Sequence, residues 1–240
     1  MTLQRPPQPV LTFYRSGPMP CPYLPGRVEQ QLFTELSGAG VQEVFEQLSA
    51  GGFRRSHHIA YRPACRGCSA CVPVRIVVDE FEMTKSWQRV LRVNADLSME
   101  CTGKRITDEQ YQLFQRYLRS RHGDGDMARM NRRDYATMVV SSPVQTDLVE
   151  FRDSVQHLVA GCLMDRLADG LSAVYSFYEP GVPRRSLGSH VVLWMVAEAR
   201  RLGLPYVYLG FWIEDSPKMA YKGRFRPLEA FSADGWRRIR

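Results

Sequence analysis

The apolar positions along this 240-residue chain change period several times, and each change marks an element. Leu32 and Leu36, then Val41, Val44, Phe45 and Leu48, step at helical intervals across Gly38 and Gly40, which predicts two short helices joined by a glycine turn. Val72 to Phe81 is rich in β-branched residues and predicts a strand. Thr107-Asp108-Glu109-Gln110 has the form of a capping box, and Tyr111, Phe114 and Leu118 then give the buried stripe of a helix ending near His122. Residues 122–127 read as a turn, because their two aspartates lack the later bidentate Glu of a calcium loop.

Three extended segments follow: Asp147 to Phe151, His157 to Leu163 and Leu171 to Tyr178, the last two joined by Asp169-Gly170 as a hairpin. A helix is expected from Ser186 through Trp194 and Ala199 to a stop at Gly203, and Tyr206 to Trp212 predicts one more strand. Strand, crossover helix and strand require a parallel pair with a right-handed connection, here fed by an antiparallel meander. The first 27 residues are proline-rich and predict an extended arm.

With 44% hydrophobic and 24% charged residues the composition is that of a folded globular chain. Lys and Arg outnumber Asp and Glu by 32 to 25, a net charge of +7 that favours an anionic partner without choosing among nucleic acid, lipid and acidic peptide. The first twenty residues lack the apolar run of a secretory leader. Val191 to Ala199, the most continuous apolar stretch, is broken by Glu198 and falls far short of the roughly 20 residues that cross a bilayer. The expectation is a cytoplasmic protein without membrane association, in whose reducing surroundings six cysteines do not make a disulfide framework.

Three of those cysteines, Cys65, Cys68 and Cys71, stand at two-residue gaps on a loop begun by Pro63, with Cys21 as a distant fourth and His57 or His58 as substitutes. Sulfurs so spaced suit zinc or an iron–sulfur cluster, and plain thiols are the alternative. Cys101 and Cys162 stand alone, and Cys162 reads as a packed thiol. Upstream of the cluster lie Arg54, Arg55 and aromatics, with no Asp or Glu between Glu46 and Asp79.

The meander feeding a strand–helix–strand unit resembles the GNAT acyltransferase fold. The expected class is therefore α/β with a mixed sheet: a smaller cysteine-containing N-terminal domain at residues 1–100 and a GNAT-like domain at 101–240. Enzymes of that fold hold the coenzyme A pyrophosphate on a glycine-rich turn before the crossover helix. Here that turn is Pro183-Arg184-Arg185-Ser186-Leu187-Gly188, with a single glycine, so acetyl transfer from coenzyme A is the weaker reading.

Several blocks in order along nearly the whole chain resemble one family, the aminoacyl-tRNA:protein transferases, in its bacterial leucyl-transferring branch. They are Cys21-Pro22-Tyr23-Leu24-Pro25-Gly26-Arg27, Gly52-Phe53-Arg54-Arg55-Ser56, Tyr61-Arg62-Pro63 with the three cysteines, Val174 to Pro180, Ser186-Leu187-Gly188, Tyr208 to Ile213, and Ser216 to Lys222 with Phe225-Arg226-Pro227. The resemblance implies that leucine moves from leucyl-tRNA to the α-amine of proteins beginning with Asp or Glu, marking them for degradation by the N-end rule route. Arginyl transfer by the same chemistry and a non-catalytic zinc-knuckle RNA-binding protein are the alternatives.

The ester donor is already activated, so no cofactor is required and the task is alignment. For an acidic acceptor the economical recogniser is a guanidinium fork, which points to Arg54 and Arg55, with Arg27 third. Lys218, Tyr221 and Tyr175 are the expected catalytic residues of the cleft. Lys222, Arg224 and Arg226 alternate with aromatics as a groove for a single-stranded 3′ end would, and are expected to bind tRNA. Phe177, Trp194 and Trp212 are candidates for a leucine pocket.

Overall fold

A computed structural model describes residues 10–123 and 129–239. The proline-rich arm forms two short strands, β1 (Tyr14–Arg15) and β2 (Met19–Pro20), before a tight loop returns it through β3 (Val28–Glu29) to β4 (Gln31–Glu35). The first of the two expected helices is thus strand β4. Leu32 and Leu36 carry a four-residue step, but Gln31–Glu35 pairs antiparallel with a later strand from Gln31↔Pro63 to Glu35↔Ile59, and that ladder overrides the local spacing. The second helix is present as α1 (Val41–Ala50), burying Phe45 and Leu48.

After α1 a hairpin forms from β5 (Arg54–Ser56) and β6 (Ile59–Pro63), turning at His57, whose φ is 52°. The cysteine loop leads into β7 (Val72–Val77), followed by α2 (Lys85–Val93), β8 (Ser98–Cys101) and α3 (Asp108–His122). The capping box of α3 is complete: Thr107 Oγ1 accepts from the Gln110 N–H, and Gln110 Oε1 accepts from the Thr107 N–H. Within the loop expected at 122–127, residues 124–127 lie outside the described residues. The chain continues with α4 (Arg132–Val140), β9 (Thr146–Arg152), β10 (Leu158–Leu167), β11 (Gly170–Tyr178), α5 (Leu187–Arg201), β12 (Tyr206–Trp212), β13 (Leu228–Ser232) and β14 (Gly235–Ile239).

The main sheet has eight strands in the order β14-β13-β7-β12-β11-β10-β9-β8. Its antiparallel meander, crossover helix and parallel β11–β12 pair give the mixed α/β, GNAT-like arrangement read from the sequence. Residue 100, the expected end of the N-terminal domain, lies within edge strand β8, and β7 is interior to this sheet. Inward residues alternate: Val149, Cys162, Val207 and Leu209 pack with α5, while Leu148, Leu163 and Phe177 pack on the other face against Phe114 and Leu118 of α3 and Tyr135 of α4. A four-stranded sheet, β1-β4-β6-β5, packs with α1 around Leu36, Phe45 and Ala60 and meets the main sheet at Leu167 and Tyr208.

Candidate active site

The parallel strands β11 and β12 pair over only three positions, Gly170↔Tyr206, Leu171↔Val207 and Ser172↔Tyr208, and then separate. Each carries one extra residue at the parting point: Val174 is skipped in the β10–β11 register and Leu209 in the β12–β7 register. Such bulges bend a strand and increase its twist, which drives the two apart.

Arg54 of β5 enters the gap. Its Nη2 donates to the carbonyls of Ala173 at 2.6 Å and Val174 at 3.0 Å, and its guanidinium lies 5.9 Å from the Phe211 ring centroid. Room for it comes from Gly210, whose φ of +73° favours glycine and whose missing Cβ would overlap the Arg54 Nη1 and Cζ atoms. No side-chain carboxylate bonds or pairs with Arg54 among the described residues, although a guanidinium so enclosed ordinarily has one.

The gap opens into a cleft of about 850 Å³. Tyr175 and Tyr178 of β11 and Tyr117 of α3 form an aromatic wall, Tyr23 reaches in from the arm, and the first residues of α5 close one side. Gly188 is needed there because a Cβ would stand 2.9 Å from a ring carbon of Tyr178. Lys218, Tyr221 and Lys222 come from the segment after β12. The one carboxylate among the described lining residues is Glu179, and it is paired with Arg116 at 2.9 Å, so the cleft is cationic.

Burial sets the protonation of these groups. Desolvation raises the phenol pKa of Tyr175, Tyr117 and Tyr221, reinforced for each by the neighbouring Tyr178, so they act as hydroxyls and not as phenolate bases. The Tyr175 hydroxyl is buried without a hydrogen-bond partner among the described residues, a donor held ready in the wall. Desolvation also lowers the Lys222 pKa well below the usual lysine range, with Arg54 adding to the effect.

Arg54, Arg55, Tyr175, Lys218, Tyr221 and Lys222 therefore share one cleft. Within it the expectation for Arg55 is corrected. Its Nε and Nη2 meet both oxygens of buried Asp165 at 2.8 and 2.7 Å and its Nη1 donates to His57 O at 2.8 Å, which leaves its fork no edge for a second carboxylate. Lys222, expected at a phosphate, is only 5% exposed and donates to the Phe211 carbonyl at 2.5 Å.

Arg224 and Arg226 are outside the lining: Arg224 lies over the Trp87 ring at 5.0 Å and Arg226 donates to Ile239 O at 3.0 Å. Arg27 is exposed at the tip of the arm, also outside the lining. Phe177 is core, Trp194 packs at the edge of the core, and Trp212 donates to Ala220 O at 3.3 Å. Arg121 of α3 lines the cleft without having been singled out, since nothing distinguishes it in sequence from the other arginines of that helix.

The cysteine loop and the arm meet, since Cys21, Cys65 and Cys68 all act on Cys71, whose thiol burial pushes up to about 12. Gln30 N–H donates to the Cys65 sulfur at 3.4 Å. Among the described residues no three His, Cys, Asp or Glu side chains converge as metal ligands. His57 and His58 fall at the opposite end of β6 from Cys65, beyond a strand about 13 Å long at 3.3 Å per residue, and so do not substitute for a cysteine.

No helix among the described residues is long and apolar enough to cross a membrane. Comparison with known proteins identifies the chain's relatives. Residues 19–89 match the family described as arginine-tRNA-protein transferase, N terminus, and residues 109–232 match its C terminus. The chain is 53% identical over 227 residues to an aspartate/glutamate leucyltransferase of Paramagnetospirillum magneticum, covering 95% of this chain and 93% of the relative. It is 52% identical to the enzyme of that name from Granulibacter bethesdensis, covering 94% and 84%. A solved fungal β-N-acetylglucosaminidase with a GCN5-related glucosamine N-acetyltransferase region is similar at a TM-score of 0.42 and 10% identity, covering 86% of this chain and 23% of that one. A cationic cleft between splayed strands and matches along both halves lead to one conclusion: the chain belongs to the arginine-tRNA-protein transferase family of aminoacyl-tRNA:protein transferases.

Proposed function

We propose that this protein transfers leucine from leucyl-tRNA to the α-amino group of proteins beginning with Asp or Glu, the entry step of N-end rule degradation. The name shared by its relatives supports the donor, and the observation that carries the acceptor is Arg54. A guanidinium held in the strand gap by two carbonyls, with no carboxylate partner among the described residues, is complementary to an acidic side chain entering from the cleft. Nη1 and Nε make no bond to Ala173 or Val174, and their N–H groups are the donors left for that carboxylate.

The leucyl ester carries its own driving force, so the residues need only align an amine with a carbonyl and exclude water. The unpartnered Tyr175 hydroxyl is the donor for the ester carbonyl as negative charge develops on it. Tyr221, 37% exposed, walls the same space, and exposed Lys218 attracts the phosphates of the tRNA 3′ end. The four N-terminal thiols are suitable donors for zinc or an iron–sulfur cluster, but they do not form a ligating set as arranged, and no step is assigned to a metal. Element analysis of the purified protein tests this: zinc or iron in stoichiometric amount would show that the thiols do ligate a metal.

The function is tested with purified protein, tRNAs charged with radiolabelled leucine or arginine, and peptides differing only at the first residue. Leucine incorporation into Asp- and Glu-initiated peptides alone is expected. Arginine incorporation would transfer the donor assignment, and tRNA retention without turnover would establish a binding protein instead.

A further inference from the structure

Lys222 has the burial of a core residue and the position of a catalytic one. It lines the cleft at 5% exposure, its Nζ donates to the Phe211 carbonyl at 2.5 Å, and Met219 Sδ lies 3.9 Å away. The charged or titratable groups acting on it are Arg54 from β5 and Cys71 from the loop before β7. No carboxylate of the described residues pairs with it, so the protonated form is disfavoured twice, by burial and by a second cation. A neutral amine has two N–H groups and one lone pair. With one N–H on Phe211, the lone pair is free to take a proton from a ligand in the cleft.

We infer that the Lys222 amine accepts a proton from the acceptor's α-ammonium, and that the acceptor's own side-chain carboxylate, seated on Arg54, is the countercharge that makes this transfer favourable. The inference rests on the transferase reading of the cleft. An N–H bond of the α-ammonium breaks and its proton passes to the Lys222 lone pair. The electron pair released on the α-nitrogen forms the C–N bond with the ester carbonyl, and the C–O bond to the ribose breaks. The attacking nitrogen's second proton ends on the ribose oxygen, and Lys222 returns its proton to water as product leaves. Ammonium and ester thus become amide, alcohol and one proton.

Acceptor choice then enters the chemical step as well as binding. A peptide beginning with Asn would leave protonated Lys222 buried beside Arg54 without an anion, so its amine would stay charged and unreactive.

The test uses the full chain with saturating leucyl-tRNA. Lys222→Arg places a permanent cation where the amine rests neutral, so the residue can no longer accept a proton. It is expected to hold KM for an Asp peptide near wild type while kcat near pH 7 falls about 6- to 10-fold, to the share of the α-amine that is neutral without a base. Its rate should then climb about tenfold per pH unit until the α-amine's own pKa of about 7.7–8.0. Wild-type kcat and pH profile in this variant overturn the inference and leave the transferase reading intact, whereas absence of transfer by the wild type overturns that reading.

Should the variant fail to fold, calorimetry on the wild type decides. An N-acetylated Asp peptide offers the carboxylate without an ammonium, so its binding should draw about one proton from buffer onto Lys222, and the free-amine peptide should draw none. Equal proton uptake for the two peptides overturns the inference.

Discussion

Gly210→Ala tests the arrangement of the splayed strands more directly than any change to a charged residue. The new methyl group meets two costs. An alanine at φ +73° pays about 1–2 kcal/mol for the left-handed backbone. Its Cβ also takes the space of the Arg54 guanidinium, which must leave Ala173 O and Val174 O. Two hydrogen bonds from a charged donor, at the lower end of about 1.5 kcal/mol each, add about 3 kcal/mol. The sum is about 4–5 kcal/mol in the wild-type background, but only the backbone cost of about 1–2 kcal/mol remains when Arg54→Ala is already present. Urea unfolding of the two single variants and the double variant measures this coupling, and the KM for an Asp peptide should rise in all three. An equal cost of Gly210→Ala in both backgrounds would refute the placement of Arg54 in the gap.

Three further outcomes are expected. Asp165→Ala strands the buried Arg55 guanidinium and should cost about 3–5 kcal/mol in chemical denaturation, a loss of stability and not of acceptor selectivity. Tyr175→Phe removes a hydroxyl that has no protein partner, so stability should hold while kcat falls about 10²–10³-fold with KM little changed. His190, buried on α5 with neither ring nitrogen bonded, has its pKa lowered from 6.5 to about 4 by desolvation and by Arg185. The unfolded chain therefore binds a proton between those values that the folded chain does not, so stability is full above pH 6.5 and falls by about 3 kcal/mol as pH drops to 4. His190→Leu should flatten that acid limb in pH-dependent thermal unfolding, and an unchanged slope would assign it to other groups.

Much of the C-terminal half was legible because local signals and tertiary packing agree there. Thr107 to Gln110 caps a helix, Asp169-Gly170 turns a hairpin, and Tyr206–Trp212 is a strand with the predicted limits. The N-terminal half was harder. Leu32 and Leu36 mimic a helical step, yet the backbone there is claimed by β6, a partner that a periodicity count does not see. Arg54 and Arg55 look equivalent in sequence, but neighbours on a strand point to opposite faces. One therefore reaches the strand gap and the other meets Asp165, which is 110 positions away along the chain. A signal for the gap was present in Gly210, a lone glycine inside a strand pattern, which marks the close approach of another group.

Strand β7 sits between β12 and β13, in the middle of a sheet otherwise built from residues after 97. Polypeptide from the first third of the sequence is thus the keystone of the transferase sheet, and translation must reach β12 and β13 before either flank of β7 is covered. Severing the chain between its two family halves would expose backbone edges on both fragments, so neither is expected to persist alone, while co-expression should restore them as a nicked but whole enzyme. Exchange of one half between relatives is constrained for the same reason: the donated strand must fit two foreign neighbours at once.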